Sequence, residues 1–280
     1  MSDDRRAAAG TLVLLAAAIL AVPARRLRAL ALGDDVALRD WIANESALRL
    51  AEARRDARLL AGRLERAGAR LIALSARDYP AGLRDLRDPP PFLIVRGVVS
   101  PAARASGTAI VGTRNPAAEA ARAAYELAGR AAAPIVSGLA RGIDAAAHAG
   151  ALASGCVTIA YVGHGLGATY PPEHTELEER IIDAGGAVLS ERLPGESASR
   201  WSLLRRDRLQ AAHAQRIVLV QSEVDGGAMH AMRFAAQLGR PRFALDPRPD
   251  SGFDGNRAAI AGGALPLGWS DCDSTLARET

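Results

Sequence analysis

The chain has 280 residues, enough for one large hydrophobic core or two small ones. It is 49% hydrophobic and 24% charged, a composition that excludes disordered and collagen-like classes and is typical of soluble globular proteins. The formal net charge is +4, and lysine is absent from the sequence, so every strongly basic side chain is an arginine. This balance permits an anionic partner such as nucleic acid without establishing one.

The first 68 residues are predicted to form a small helical domain. Apolar residues between Leu12 and Leu20 recur at helical spacing, and Pro23 ends that pattern. Shorter helical runs follow at 24–32 and 36–42. A longer amphipathic helix is predicted over 46–67, with several arginines on its polar side. We interpret those arginines as a solvated face, with contact to DNA as the alternative.

The apolar stretch 7–24 could also be a signal peptide or a membrane span. Against a signal peptide, Asp3 and Asp4 cancel the positive charge expected before the apolar region. Against a span, the strongly apolar part covers only 12–22, about half of the ~20 residues required. Only two cysteines are present and they form no closely spaced metal-binding pair, which favours a reducing compartment. We therefore expect a buried first helix, no membrane association and a cytoplasmic protein.

From residue 69 onward, short apolar runs alternate with alanine-rich helical segments, a pattern typical of βαβ units. The predicted strands are 70–74, 92–96, 108–111, 135–137, 157–162, 187–190, 217–221 and 242–245. The predicted helices are 117–131, 145–153, 176–184, 204–214 and 228–238. We expect an α/β domain over 69–268, with a parallel sheet covered on both faces, followed by a polar tail at 269–280.

The same βα-turn pattern occurs twice in the sequence, at 110–116 and at 135–144. Each is a short apolar strand that breaks at a glycine, presents an arginine and leads into a helix. A βα turn in a parallel sheet directs backbone N–H groups and a helix N-terminus toward one place, which suits a phosphate. Arg114 and Arg141 are therefore predicted to share one phosphate-binding edge.

Residues 163–168 match a dinucleotide-binding glycine pattern, but the two prolines at 171 and 172 argue against the helix that such a site requires. We expect no cofactor. Asp144 is interpreted as a first-turn acid favoured by the helix dipole, or else a polar group at the ligand edge. His148 is interpreted as structural. Ser137 has no evident base nearby, so nucleophilic catalysis is not expected.

A third cluster of arginines lies at 205–208. Arg205, Arg206 and Arg208 cannot all face the same way on a helix. At least one is expected to point toward the sheet edge or a carboxylate. Asp207, between them, lowers the local positive potential.

Together, these motifs resemble the DNA-processing protein A family (DprA, also called Smf). The resemblance covers roughly residues 70–262. The segments that carry it are 78–80, 88–97, 109–116, 135–152, 170–173, 189–195, 206–208 and 239–240. The block 137–148 is the most specific of them.

The resemblance implies a Rossmann-like parallel-sheet domain that follows the small all-helical N-terminal domain, here a degenerate SAM or helix-hairpin-helix-like unit. It also implies binding of single-stranded DNA and transfer of the strand to the recombinase RecA in natural transformation. No chemical step is implied, and relatives often form homodimers. Carried over by position, the implied DNA-binding residues are Gly112, Thr113, Arg114, Asn115, Ser137, Gly138, Arg141, Gly142, Arg206 and Arg208.

The chain departs from the family pattern on one side of this edge. The family's Arg-Asn-Arg motif has Asp207 at its centre here, and the family's Ser-Gly-Ser turn is replaced by 226–228 without a serine or threonine. Two other functions remain as alternatives: a nucleotide-sensing module, or an enzyme of the phosphoribohydrolase group that shares this general fold. The segment 225–232 lacks the threonine and glutamate typical of that enzyme group.

Overall fold

The first part of the chain is helical, as its apolar spacing predicts. The computed structural model describes residues 3–34, 36, 39, 42–248 and 252–270. Within the described residues, three helices precede the sheet: α1 (Asp3–Ile19), α2 (Ala24–Ala31) and α3 (Ala47–Arg66). The helix predicted at 36–42 lies largely outside the described residues. In the part of the chain that the structure describes, no helix combines the length and hydropathy needed to cross a membrane.

Helix α3 begins at a side-chain cap, because Ser46 Oγ accepts a hydrogen bond from Arg49 N (3.3 Å). Its buried stripe, Ala53, Ala57, Leu60 and Leu64, follows the 3.6-residue period of an amphipathic helix. Part of this stripe belongs to the same apolar cluster as the buried side chains of the sheet. The helical part and the sheet therefore share one core.

In the part of the chain that the structure describes, the sheet has nine strands, and six of its eight neighbouring pairs are parallel. The strands are β1 (Ala69–Ala73), β2 (Phe92–Gly97), β3 (Gly107–Val111), β4 (Ile135–Ser137), β5 (Thr158–Tyr161), β6 (Ala187–Ser190), β7 (Ala214–Leu219), β8 (Arg242–Leu245) and β9 (Leu265–Leu267). Their order is β1-β2-β6-β5-β4-β3-β7-β8-β9. Strand β2 is antiparallel to both β1 and β6, and all other pairs are parallel. The predicted Rossmann-like fold is confirmed.

The strand order reverses beside β3. The chain runs from β3 through β4 and β5 to β6 on one side, and then returns to the other side of β3 at β7. Loops on either side of such a reversal diverge and leave a crevice at the carboxyl ends of the strands. The helices after β2 are α4 (Pro101–Arg104), α5 (Ala118–Gly129), α6 (Ile143–Ala153), α7 (Thr175–Asp183), α8 (Arg200–His213), α9 (Ala228–Gln237) and α10 (Asp254–Ala261).

The central strands are buried on both faces. All five residues of β3 are buried, and alternate residues belong to different apolar clusters: Ala109 and Val111 to one, Ile110 to the other. Continuous apolar runs, rather than alternating ones, are the expected signature of such strands. This arrangement explains why the central strands are recognisable from sequence.

Two elements near the C-terminal end were not predicted. The glycine- and proline-rich region after 248 contains α10 and the edge strand β9. They have only eight and three residues, too few to give a recognisable hydrophobic period. Helix α8 also begins at Arg200, four residues before the predicted start, because Ser199 and Ser202 form a capping box.

Asn256 of α10 joins three segments at the reversal of the sheet. Its Nδ2 donates to Val220 O (3.0 Å) and Leu245 O (2.9 Å), and its Oδ1 accepts from Ser222 N (3.0 Å). The side chain is fully buried. It therefore fixes the loop that follows β7, where the crevice opens.

We expect Asn256→Ala to lower the free energy of unfolding by about 1–3 kcal/mol, because buried donors and acceptors lose their partners. Urea denaturation of the variant and the parent measures this difference. Arg257→Ala, at the exposed neighbouring position of the same helix, serves as the control and is expected to change stability by less than about 0.5 kcal/mol. Equal losses in the two variants would contradict the role assigned to Asn256.

Candidate functional site

A cleft of about 580 Å³ opens where the strand order reverses. Its walls are the turn after β3, the N-terminal half of α8 and the loop after β7. A second, smaller cavity of about 50 Å³ adjoins it near the turn after β4. Arg114 and Arg206 line both spaces.

The turn after β3 is held rigidly by backbone hydrogen bonds. Thr113 N donates to Gln221 O (2.7 Å), and Thr113 O accepts from Ile143 N (3.2 Å). Gly112 leaves no room for a side chain, since a Cβ there would lie 2.5 Å from Ile143 Cγ1. Asn115 N donates to Thr113 Oγ1 (3.3 Å), which closes the turn. The backbone that carries Arg114 is therefore fixed before any ligand binds.

Arg114 itself is exposed at the rim of the cleft. Within residues 3–34, 36, 39, 42–248 and 252–270, its guanidinium has neither an ion-pair partner nor a hydrogen bond. Burial raises the pKa of the buried carboxyls Asp144 and Asp207, and the positive charge of Arg114 is a small opposing influence on both. An unpaired guanidinium on a rigid turn is a suitable ligand for a phosphate.

The turn after β4 packs directly against the first turn. Gly142 has φ +75°, and a Cβ there would lie 2.4 Å from Thr113 O. Ser137 is buried, and its Oγ donates to Ile110 O (2.7 Å). A Cβ on Gly138 would lie 1.4 Å from Arg206 Nη1. These three positions bring the two turns together and make room for Arg206, so their role in the structure is to shape the edge.

Arg141 is the exposed arginine of the second turn. Its side chain is 62% exposed, and Nε forms an ion pair with Glu173 Oε1. Glu173 therefore occupies the Nε of Arg141 and offsets part of its positive charge. Arg141 and Arg114 both line the small cavity, so the structure brings the two arginines to one edge, and their binding of phosphate stays a prediction.

Arg206 lies beneath the cleft between two buried carboxylates. Its Nη2 is 3.6 Å from Asp144 Oδ2, and its Nε is 3.4 Å from Asp207 Oδ1. Asp144 also accepts a hydrogen bond from Ala140 N (3.3 Å). One guanidinium can balance only one of two negative charges. Burial raises the pKa of Asp207 to about 7, although Arg206 opposes the shift, and burial also raises the pKa of Asp144.

Arg208 points away from the cleft. Its Nη2 donates to Glu191 Oε2 (2.5 Å), its Nη1 donates to Asp88 O (3.2 Å), and its side chain is only 5% exposed. Residues two apart on a helix project to nearly opposite sides, so Arg206 and Arg208 do not serve the same surface. The structure gives Arg208 a role in the fold, and we leave it out of the proposed interface.

His148 is a structural side chain. Its Nδ1 lies 2.7 Å from Thr158 Oγ1, and its Nε2 accepts a hydrogen bond from Leu139 N (3.3 Å). Burial lowers its pKa to about 3, which keeps the ring neutral. The hydrogen bond holds Leu139, whose φ of +58° is unusual for a leucine. His148 therefore supports the second turn from behind.

Three features of the cleft were not anticipated as parts of the site. Arg200 lines it because α8 begins earlier than predicted, and the Ser199 and Ser202 capping box was the available sequence signal. Tyr170, 47% exposed, lines both the cleft and the small cavity. The loop after β7 adds acidic side chains to the far wall, Glu223 and Asp225.

Comparison with known proteins agrees with this architecture. A family model described as DNA recombination-mediator protein A matches residues 70–275, more than half of the chain. The chain belongs to this family.

One relative is the DNA processing protein DprA of Bacillus subtilis. It is 31% identical over 71% of this chain and 66% of that protein. Protein Smf of Synechocystis is 34% identical over 62% of this chain and 45% of its own length. The chain thus spans between about half and two thirds of the length of these relatives.

Two solved structures share the fold. DNA processing protein A from Streptococcus pneumoniae superposes with a TM-score of 0.71 at 24% identity, over 97% of this chain and 93% of that one. A structure describing the single-stranded DNA binding mode of DNA processing protein A from Helicobacter pylori has a TM-score of 0.63 at 27% identity. It covers 71% of this chain and 92% of that one.

Arg206 provides one positive charge for the two buried carboxyl groups of Asp144 and Asp207, so the stability of the protein is expected to depend on pH. The folded-state pKa of Asp207, about 7, lies above its ordinary value of 3.8, so the folded protein binds the proton more tightly than the unfolded chain. The resulting stability is complete below pH 3.8 and is lost as the pH rises through 7. We expect Asp207→Asn to remove this loss.

The measurement is chemical denaturation of the parent and Asp207→Asn between about pH 5 and pH 8. Buried histidines such as His148 titrate with the opposite sign, so the difference between the two profiles isolates Asp207. Parallel profiles for the two proteins would show that Asp207 does not carry this proton.

Proposed function

We propose that this protein binds single-stranded DNA along the edge formed by the turns after β3 and β4. The observation that carries the proposal is Arg114, an exposed and unpaired guanidinium on a rigid turn above an open cleft. Arg141 lines the small cavity and Arg200 lines the cleft, and Arg114 lines both spaces. Several arginines along adjoining spaces suit a chain of phosphates better than a single small anion.

The family relationship supports the same ligand. The Helicobacter pylori protein, at 27% identity, is described by its single-stranded DNA binding mode. Contacts to phosphates carry no sequence information, so we expect binding without strong sequence preference. By the same resemblance, we propose a cytoplasmic, homodimeric, non-catalytic protein that acts in recombination by helping to load the recombinase RecA onto the strand.

The acidic wall of the cleft sets a limit on affinity. Asp207 lies beside Arg206, and Glu223 and Asp225 face the same space from the loop after β7. These carboxylates repel phosphates, so the strand is expected to be held mainly through the first two turns. Arg206 stabilises that surface from below rather than acting as a free cation.

Arg114→Ala is expected to weaken binding of an unstructured oligonucleotide by about tenfold, through loss of a charge-assisted hydrogen bond. Arg141→Ala is expected to have a smaller effect, because Glu173 already occupies its guanidinium. Gel shifts at about 50 mM and about 200 mM salt measure both variants, and the parent is expected to bind less tightly at the higher salt.

Arg25→Ala removes an exposed arginine of α2 that lines neither the cleft nor the small cavity, and it provides the control. Absence of binding by the parent at low salt would overturn the proposed function. Release of ribose phosphate from nucleoside monophosphates would favour the phosphoribohydrolase alternative instead.

Asp207→Asn is expected to tighten binding, because the substitution removes a negative charge from the cleft while keeping the shape of the side chain. The pKa of Asp207 is about 7, so the gain should be larger near pH 8 than near pH 5.5, where the parent carboxyl is already protonated. Fluorescence anisotropy at the two pH values measures this ratio.

Asp183→Asn, at an exposed position of α7, removes the same charge outside the cleft. An equal gain in both variants would indicate a general charge effect. An unchanged affinity in Asp207→Asn at both pH values would mean that Asp207 does not influence the bound strand.

A further inference from the structure

A second groove, of about 740 Å³, continues from the site onto the helical part of the chain. One wall is the last turn of α3, and the other consists of the glycine-containing loops at 164–170 and 194–198. Nothing in the function proposed above uses this groove. Its position next to the Arg114 edge raises the question of what it accommodates.

Tyr170 and His164 connect the groove to the site. Tyr170 lines the cleft, the small cavity and the groove, and His164 lines the last two. The two rings meet edge to face, with centroids 6.0 Å apart. A chain-like ligand that lies on Arg114 can therefore pass Tyr170 and enter the groove without leaving the surface.

The outer wall of the groove is positively charged. Arg63 and Arg66 are exposed and, among the described residues, have no acidic partner. Earlier on the same helix Arg55 is paired, with Asp56. The acid in the groove, Glu196, is already neutralised by an ion pair to Arg192 (2.5 Å). The groove thus offers two free guanidinium groups to an anion.

His164 provides an independent sign that a ligand belongs here. The residue is 5% exposed, and its Nε2 has no hydrogen-bond partner among the described residues. Burial lowers its pKa, which favours the neutral ring. Buried polar atoms without a partner are uncommon in folded proteins, and those that occur are often completed by water or a ligand. A nucleobase edge carries groups that can pair with such a nitrogen.

We propose that this groove carries the continuation of the bound single strand, with a base stacked on Tyr170 and the following phosphates held by Arg63 and Arg66. The proposal rests on the proposed function, because it extends the same strand beyond the Arg114 edge. An exposed aromatic ring followed by arginines is the arrangement that single-strand binding proteins use for bases and backbone. A base must be unpaired to stack in this way, so the groove favours single strands over duplexes.

The phosphate half of the proposal is tested by strand length. Binding of oligothymidylates of about 4 and about 12 nucleotides is compared in the parent and in the double variant Arg63→Ala, Arg66→Ala. The variant is expected to bind the long strand about five- to tenfold more weakly, with the slope of log K against log salt reduced by about 1.4. The short strand, which the Arg114 edge can hold alone, is expected to bind as in the parent.

A charge-matched control comes from the same helix. Arg54 and Arg58 line a separate apolar cavity between α3 and α1 and not the groove. The double variant Arg54→Ala, Arg58→Ala is expected to leave the length dependence unchanged. Equal weakening in the two double variants, or none in Arg63→Ala, Arg66→Ala, would overturn the groove assignment.

The base half is tested by Tyr170→Ala beside Tyr170→Phe, which keeps the ring. Tyr170→Ala is expected to weaken the long oligothymidylate about fivefold or more, Tyr170→Phe to restore parental binding, and neither to change binding of an abasic strand of the same length. Equal loss on the thymidylate and abasic strands would overturn stacking. Failure of the parent to bind either oligothymidylate would overturn the proposed function itself. Binding by the parent without the expected losses in the groove variants would overturn only the groove assignment.

Discussion

The packing of Gly138 against the guanidinium of Arg206 determines the shape of the whole site. Because position 138 has no side chain, an arginine from α8 can lie beneath the second turn, where two carboxylates receive it. A methyl group at this position would occupy the place of Nη1. Helix α8, the turn after β4 and the start of α6 are therefore fixed relative to one another by one buried cation.

The same cluster separates supporting charges from charges that are free to bind. Arg206 and Arg208 are buried and paired, so their positive charges are balanced by carboxylates within the protein and do not reach a ligand. Arg114, on a turn fixed by its own backbone contacts, remains unpaired at the rim. The distribution explains how a protein with a modest net charge can present a concentrated positive edge beside an acidic wall.

The helical part of the chain is not an independent appendage in this structure. Side chains of α3 share the core of the sheet, and Arg96 of β2 reaches across the boundary to donate to Ala67 O (3.1 Å) while pairing with Glu178 and Glu179 of α7. The last turn of α3 is thereby held beside the glycine-containing loops. These contacts fix the two walls of the groove relative to each other.

The sequence by itself determined the parallel sheet, the two glycine turns and the position of Arg114 in the first of them, because these depend on local signals: apolar runs, chain breaks at glycine and the helix that follows. That Arg114 is unpaired among the described residues, while Arg141 is paired with Glu173, was decided by the tertiary structure. The sequence also limited how many of Arg205, Arg206 and Arg208 could face one ligand. Only the tertiary structure decided which of them are buried, since that depends on Asp144 and Glu191, which are distant in sequence. Helix α10 was not predicted for the same physical reason. Its Asn256 fixes the crevice through contacts to segments that are distant in sequence, and such contacts leave no periodic pattern in the chain.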